Sequence, residues 1–548
     1  MVLKMKFNLF ENNSFKMQLK SNSKLIIFLG ILAISSIFLK LYSIDLELPL
    51  YKDNLDLTMR AFAHLDGNFE VSPNRNFGWS IFQSPFLLLT NSENFLDYSK
   101  IIRLLGIGVS TSSIFLMYFL SRKFFNQKYS LASCLLFAFY PQLNQISGLG
   151  QTEPLFIMSI MASLLFILRK NNDKLIFLSF MLAGIAYSIR PMGMIIIIVL
   201  IIIYLINFKK NLKPLKFLLC IAIFILIILP ISVVRYDQYG DPLYYGDVSK
   251  GFVSTTSMLN AINVESTSAS EFINNEGIYT FFELFIVSGI INSIKGIFAV
   301  SFPYLLFLIP IGILLSFKTK PEIKKFILSN WILIISYGLS LTIVSAIVLS
   351  PRFFLPLIPF LIIFSILPIQ KLCNLQINFK NYQNISLIVI ISLILSISVY
   401  YTITEFSSPD KQLEDEKLEF SRYLHDNLDG NFFNAGWATH YFKYVEIIDN
   451  NQFKSYYLNT DNRYSDIEWL RLYGTSVEDI VNDGQSLGLN YLVIEDKQYA
   501  LFFLDDLYED EKLYPYLTKI YDSNDVGMKK LNVKIFKINY EEFFKYVG

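Results

Sequence analysis

Cysteine, histidine and charge are all scarce in this chain of 548 residues, and each scarcity removes a class of function. The three cysteines, Cys134, Cys220 and Cys373, lie in or beside apolar runs, so no disulfide framework is expected and the redox compartment stays open. The three histidines, His64, His425 and His440, are too scattered for a metal site, and no cluster has metal-ligand spacing. A Walker-type glycine-rich loop and a nucleophile elbow are both lacking. So are an internal repeat and a low-complexity tract. Charged residues make up 17% of the chain, against roughly 25% in soluble domains. The basic ones flank apolar runs and form no stripe, so nucleic acid is not expected as a partner.

What remains is a membrane composition, 53% apolar and 16% aromatic. A helix needs roughly 20 mostly apolar residues to cross the hydrocarbon core with its backbone bonds satisfied internally. About eleven runs qualify, beginning near Leu25, Ile101, Tyr129, Glu153, Lys174, Pro191, Lys216, Gly296, Phe326, Arg352 and Ile385. The first follows a basic, Asn-rich stretch with no small-residue cleavage pattern, which predicts a retained signal anchor. Basic residues mark cytoplasmic loops. They recur in every alternate connection, at Lys4 to Lys24, Arg122 to Lys128, Arg169 to Lys174, Lys209 to Lys216, Lys318 to Lys325, and Lys371 with Lys380.

An odd number of spans then predicts a multi-pass protein of the cell membrane, its N-terminus in the cytoplasm and its tail outside. From residue 402 onward acids outnumber bases by about twelve, although the whole chain carries a formal charge of +1. The expected organisation is a cytoplasmic segment at 1–24, a membrane domain at 25–402 and an extracytoplasmic α/β domain at 403–548. Long outer loops are expected at 44–100 and 235–295, and loops of that length are commonly functional. Residues 278–294 are apolar enough to lie in the membrane interface. In the tail, 413–424 and 476–487 read as helices, and 491–494 and 533–538 as strands.

The short outer connections hold single charges that a purely structural turn does not need. Glu153 opens a helix in Gly-Gln-Thr-Glu-Pro, Arg190 stands in Ser-Ile-Arg-Pro-Met-Gly, and Arg352 in Ser-Pro-Arg-Phe-Phe-Leu-Pro. Outer arginines run against the orientation bias, and ionisable groups at membrane depth are costly. A lone arginine at a helix end can simply snorkel to the interface, and Glu153 can simply complement a helix dipole. Two guanidinium groups on one outer cavity suit a phosphate or diphosphate, because the planar fork bonds phosphate oxygens bidentately.

The first outer loop contains an amphipathic helix with acids at its start, Lys52-Asp53-Asn54-Leu55-Asp56-Leu57-Thr58-Met59-Arg60. Asp53 and Asp56 can be capping residues favoured by the dipole. Either can also be a general base for sugar transfer to a hydroxyl, in which the acceptor proton leaves as the new bond forms. The departing lipid phosphate needs its growing charge met, a role that fits Arg190 and Arg352.

These residues resemble the membrane-embedded glycosyltransferases that use polyprenyl-phosphate sugars, the GT-C class, over about residues 25–367. In protein O-mannosyltransferases, the lipid A aminoarabinose transferase and their relatives, the first outer loop carries an Asp-Glu pair, an aromatic four residues after the Asp and an Ala eight after. Asp53, Asn54, Leu57 and Ala61 stand at those positions, with Asn54 replacing the Glu and Leu57 the aromatic. Gly78-Trp79 through Pro85, Arg103, Tyr140-Pro141 with Ser147 and Glu153, Arg190-Pro191 and Arg352-Phe353-Phe354-Leu355-Pro356 follow in the family's order. The tail is similar to those of archaeal members. Oligosaccharyltransferases of the class carry a Trp-Trp-Asp motif, whereas Trp437 and Trp469 stand alone here.

The resemblance implies a GT-C-like polytopic α-helical membrane protein with a C-terminal soluble α/β domain. It further implies transfer of one sugar, with inversion, from a polyprenyl- or dolichyl-phosphate carrier to a hydroxyl on a protein, lipid or glycan. Asp53 inherits the base role, with Asp56 in competition, and Glu153 is a second carboxylate that orients substrate. Arg190 and Arg352 form the phosphate clamp, and Arg60, Arg103, Arg235 and Asp237 are further candidates for substrate contact. No metal and no cofactor beyond the lipid-phosphate donor is expected. A transporter or flippase for lipid-linked sugars is the first rival, though no paired half-sequences are visible. A non-catalytic envelope-binding scaffold is the second.

Overall fold

The computed structural model describes residues 23–50, 52–69, 75–90, 92–169, 172–208, 213–244, 269–318, 321–347, 350–375, 382–406, 410–434, 436–449, 469–470, 472, 476–496 and 503–548. The N-terminal stretch up to residue 22, Lys209, Lys210, Lys320, Lys380 and the middle of the second outer loop, 245–268, lie outside the described residues.

Among the described residues, seven helices are long and apolar enough to cross a membrane: Ser23–Tyr42, Phe95–Ser121, Pro214–Tyr239, Ile278–Ser301, Ile323–Ala346, Pro351–Cys373 and Tyr382–Glu405. Shorter apolar helices stand among them at Glu153–Ile167, Pro191–Asn207 and Leu305–Ser316. The fold is therefore a polytopic helical membrane protein. Chain breakers set many of the helix limits. Asn94 caps Phe95–Ser121 by accepting from the Leu96 N–H, and Asn172 caps Asp173–Ile189 from the Leu175 N–H.

Ten of the eleven expected helix starts fall at or near the start of a helix, and the eighth is corrected. Gly296 lies inside a helix that already begins at Ile278, so 278–294 is part of one apolar helix and not a separate interfacial piece. Nothing in its sequence breaks that run until Phe302 and Pro303, where Pro303 has no N–H to continue the ladder. Leu305–Ser316 then starts afresh.

The tail is a small α/β unit with one five-stranded sheet. Strands β1 (Asn431–Asn434), β2 (Trp469–Leu470) and β3 (Leu489–Glu495) are parallel, while β4 (Leu517–Asp522) and β5 (Val533–Ile538) run antiparallel, in the order β2-β1-β3-β5-β4. Parallel neighbours need crossovers, and the helices Phe442–Asp449 and Val477–Gln485 lie on those connections. Strand β3 is buried at five of its seven positions, as befits the centre of a sheet covered on both faces.

This unit rests on the 44–100 loop and the helix that follows it. Tyr441, Tyr444, Val445 and Ile447 share one buried apolar cluster with Leu50, Leu55, Met59, Phe62, Leu87, Phe95, Tyr98 and Ile102. Lys411 also bonds Glu47 at 2.7 Å.

Candidate active site

Within the 44–100 loop, Lys52–Leu65 forms a helix. Its positions 53, 56 and 60 recur at i, i+3 and i+7, so Asp53, Asp56 and Arg60 form one polar stripe. The other side is closed: Leu55, Leu57, Met59, Ala61 and Phe62 are all buried. The following helix, Gly78–Leu88, pins it through two serines. Ser80 Oγ donates to the Leu57 carbonyl at 2.8 Å, and Ser84 Oγ to the Ala61 carbonyl at 3.0 Å. Gly78 is needed there, because a Cβ would stand 2.5 Å from the Ser188 backbone.

Proline geometry orients Arg190 and Arg352. A residue before proline is driven out of the helical region. Arg190 accordingly ends its helix in extended backbone, φ −143° and ψ 136°, before the 3-10 turn Pro191–Gly193. Ser350 does the same before Pro351, and Arg352 then lies in the 3-10 turn Pro351–Leu357. Glu153 occupies the first turn of Glu153–Ile167, followed by Pro154. A proline in the first turn removes no helical hydrogen bond.

These segments bring their charges into one alternating chain. Arg190 Nη1 donates to Glu153 Oε1 at 2.7 Å, and Arg352 Nε donates to the same oxygen. Arg352 Nη1 reaches Asp53 Oδ2 at 3.2 Å. Arg75 then bonds Asp53 Oδ1 with one nitrogen and Asp56 Oδ2 with the other, the latter at 2.6 Å. Arg60 Nε closes the series on Asp56 Oδ2 at 3.2 Å.

Accessibility differs along this chain. The Glu153 side chain is 0% exposed, Asp56 14% and Asp53 40%, so Asp53 is the carboxylate most open to a substrate. Arg190 is held between two aromatic rings, its guanidinium carbon 5.8 Å from the Phe156 centroid and 5.6 Å from that of Phe353. Such stacking fixes the plane of the fork.

Three expected contributors stand elsewhere. Arg103, 4% exposed, donates to the carbonyls of Gly148, Leu48 and Pro49, so it ties the start of the outer loop to the turn before Glu153. Arg235 is fully buried and donates to Asn76 Oδ1 at 2.8 Å. Both are drawn off by buried oxygen acceptors, since a buried charge must be hydrogen-bonded. Asp237 is exposed near the end of Pro214–Tyr239, outside the charged chain. Asn54, at the position of the family's Glu, is buried and points away from the polar stripe.

Sequence reasoning passed over Arg75. The rule that selected Arg190 and Arg352, an arginine on the outer side, applies to it equally. Phe156 and Phe353 were also unmarked as supports.

Comparison with known proteins gives this arrangement a context. The family described as dolichyl-phosphate-mannose-protein mannosyltransferase matches residues 93–233, which include Arg103, Glu153 and Arg190. The oligosaccharyltransferase of Archaeoglobus fulgidus, in complex with Zn and sulfate, is similar in structure at 12% identity with a TM-score of 0.57, over 91% of this chain and 72% of that one. The chain shares the GT-C fold. AglB from the same organism, in complex with an inhibitory peptide and a dolichol-phosphate, gives 11% identity and a TM-score of 0.57 over 91% and 73% of the two chains. ArnT from Cupriavidus metallidurans, bound to undecaprenyl phosphate, is a looser match at 11% identity and a TM-score of 0.46 over 94% and 98%. No curated protein matches by sequence. Identities this low speak for the shared GT-C fold alone.

Zinc in the first of these relatives prompts a test of the residues here. No group of three or more His, Cys, Asp or Glu side chains gathers as ligands among the described residues. Asp53, Asp56 and Glu153 are each already bonded to guanidinium groups, four of them against three carboxylates. That set carries an excess positive charge and fits an anion better than a divalent cation.

Proposed function

We propose that this chain is a GT-C class membrane glycosyltransferase that moves one sugar from a polyprenyl- or dolichyl-phosphate carrier to a hydroxyl of a protein, lipid or glycan. The reaction takes place at the outer membrane face, with the N-terminus in the cytoplasm and the α/β unit outside. The observation that carries this reading is Arg352, whose single guanidinium joins Asp53, the most exposed carboxylate, to the Glu153–Arg190 pair. Base and phosphate clamp are thereby within one side chain of each other.

In the proposed step the acceptor hydroxyl meets Asp53. Its oxygen forms a bond to the anomeric carbon while its proton passes to the carboxylate. The bond from that carbon to the phosphate oxygen breaks, and the carrier phosphate departs with the electron pair. A single displacement inverts the anomeric centre. Arg190 and Arg352 turn donors toward the departing oxygens, where they stabilise charge that grows in the transition state. Glu153 holds both forks in place, and the rings of Phe156 and Phe353 keep Arg190 planar to its target. No step passes through a metal or a further cofactor. Dolichol-phosphate bound to AglB and the mannosyltransferase description of the matched family agree with such a donor.

Transfer is tested in membranes given radiolabelled polyprenyl-phosphate sugars and an extract of native acceptors, with Asp53→Asn and Asp56→Asn beside the natural protein. The expected result is full transfer by the natural protein, slower but measurable transfer by Asp56→Asn, and none by a folded Asp53→Asn. Full transfer by both variants removes the first loop from the chemistry. No transfer from any donor sinks the glycosyltransferase reading.

A further inference from the structure

We infer that Arg75 is a positioning residue which, anchored by Asp56, sets Asp53 as the one base of the reaction. This rests on the transferase reading above and decides between its two acidic candidates. Asp53 and Asp56 stand one turn apart on the same helical stripe, and Arg75 bridges them from extended backbone before the next helix. A guanidinium can do this because its nitrogens are fixed in one plane at a set spacing.

The two carboxylates are bonded differently. Asp56 takes both Arg75 and Arg60 on the one oxygen, Oδ2, and its side chain is 14% exposed. It is a counter-ion, closed in and doubly neutralised. Asp53 takes Arg75 on Oδ1 and Arg352 on Oδ2, so each of its oxygens is held from a different element, and its side chain remains 40% exposed. Two bonds to two oxygens fix the plane of a carboxylate. Each oxygen keeps a further lone pair for a hydroxyl proton. Among the described residues, the charged groups linked to Asp53 are Arg75 from the loop, Arg352 from the 3-10 turn, and Asp56 with Arg60 on its own helix, with Glu153 and Arg190 behind Arg352.

Removal of Arg75 leaves Asp53 tethered by Arg352 alone, free to turn its plane away from the acceptor. The donor phosphate is held by other residues, so the loss falls on turnover and not on donor binding. Removal of Asp56 frees one end of the Arg75 fork and produces the same misalignment. The two residues act as one unit, and their effects do not multiply.

The experiment is steady-state sugar transfer by the full chain in membranes, with polyprenyl-phosphate sugar as donor, comparing Arg75→Gln, Arg75→Lys, Asp56→Asn and the double variant Asp56→Asn with Arg75→Gln. Misplacement of about an ångström costs on the order of 100-fold, so each single Arg75→Gln or Asp56→Asn change is expected to lower kcat by about 10- to 100-fold. Donor KM stays within about twofold of the natural value, and the double variant is no slower than the slower single one. Arg75→Lys, which keeps the charge and loses the fork, restores only part of the rate. Arg75→Gln at natural kcat, multiplying effects in the double variant, or an Asp56→Asn protein as dead as Asp53→Asn each overturn the inference while natural transfer leaves the reading intact. If Arg75→Gln fails to fold, Arg75→Lys decides: lowered kcat at unchanged donor KM supports the assignment, and natural kcat overturns it. Absence of transfer by the natural protein defeats the transferase reading itself.

Discussion

Arg352 Nη1 lies 3.2 Å from Asp53 Oδ2, across 299 positions of sequence, and its Nε simultaneously bonds Glu153. One guanidinium thus holds the outer-loop helix against the ends of two membrane helices. An ammonium is a point donor and cannot hold that fork geometry. Arg352→Lys is expected to keep the protein folded and raise donor KM by about tenfold or more, the order of a lost charge-assisted bond. Initial rates against donor concentration check this; an unchanged KM removes Arg352 from the clamp.

Glu153 is the buried centre of the cluster, fully enclosed and shared by two guanidinium groups. Loss of one partner from a buried ion pair is costly because the remaining charge is left without compensation. Glu153→Gln is therefore expected to destabilise the fold by about 3–5 kcal/mol. Thermal unfolding of the purified protein in detergent reads this directly. Unfolding at the natural temperature would show that solvent or the neighbouring carboxylates already screen both arginines.

Much of this was visible in the residues themselves. Glu153, Arg190 and Arg352 stand out because each is a charge in a short turn where structure asks for none, and a proline stands beside each of the three. What sequence could not show is which buried cations face the cavity. Arg103 and Arg235 carry the same charge as Arg190, but their guanidinium groups are taken up by the Gly148, Leu48 and Pro49 carbonyls and by Asn76. Those acceptors become neighbours only in the folded chain. Arg75 was hidden for the opposite reason, since it stands in a polar loop and its link to Asp53 spans 22 residues. Residues 278–294 read from sequence as an interfacial piece, whereas in the fold they continue into one helix that ends at Ser301, before Pro303.

A pH dependence follows from His64, at the end of the same helix as Asp53. Its Nδ1 bonds the Asn68 carbonyl oxygen at 2.9 Å, and its ring stacks on Phe69 with centroids 5.1 Å apart. Burial, together with the nearby Arg60 charge, pushes its pKa below the ordinary value. A histidine held neutral in the fold stabilises it at pH above the unfolded-state value, about 6.5. As pH falls below that value the unfolded chain takes up the proton first, and stability declines. The natural protein is expected to lose unfolding temperature between about pH 6.5 and 5, and His64→Gln to lose less over the same interval. Identical slopes for the two proteins would remove His64 as the source.

The α/β unit has a structural hold on the Lys52–Leu65 helix. Tyr444 is buried, its ring centroid 5.9 Å from that of Phe95, in the cluster that also contains Leu55, Met59 and Phe62 of the Lys52–Leu65 helix. Those three side chains point away from the polar stripe, so the α/β unit packs against the back of the helix that carries Asp53. Truncation of a large buried ring costs about 3–5 kcal/mol of packing. Tyr444→Ala is expected to loosen the helix, lowering kcat by about tenfold or more through misplacement of Asp53 while the donor, held by Arg190 and Arg352, binds as before. Tyr444→Phe keeps the ring and most of the rate. Steady-state kinetics on the two variants separates the outcomes: a rise in donor KM alone would move the α/β unit from support of the base to binding of the carrier, and natural values in Tyr444→Ala would leave the helix held by Ser80 and Ser84 without its help.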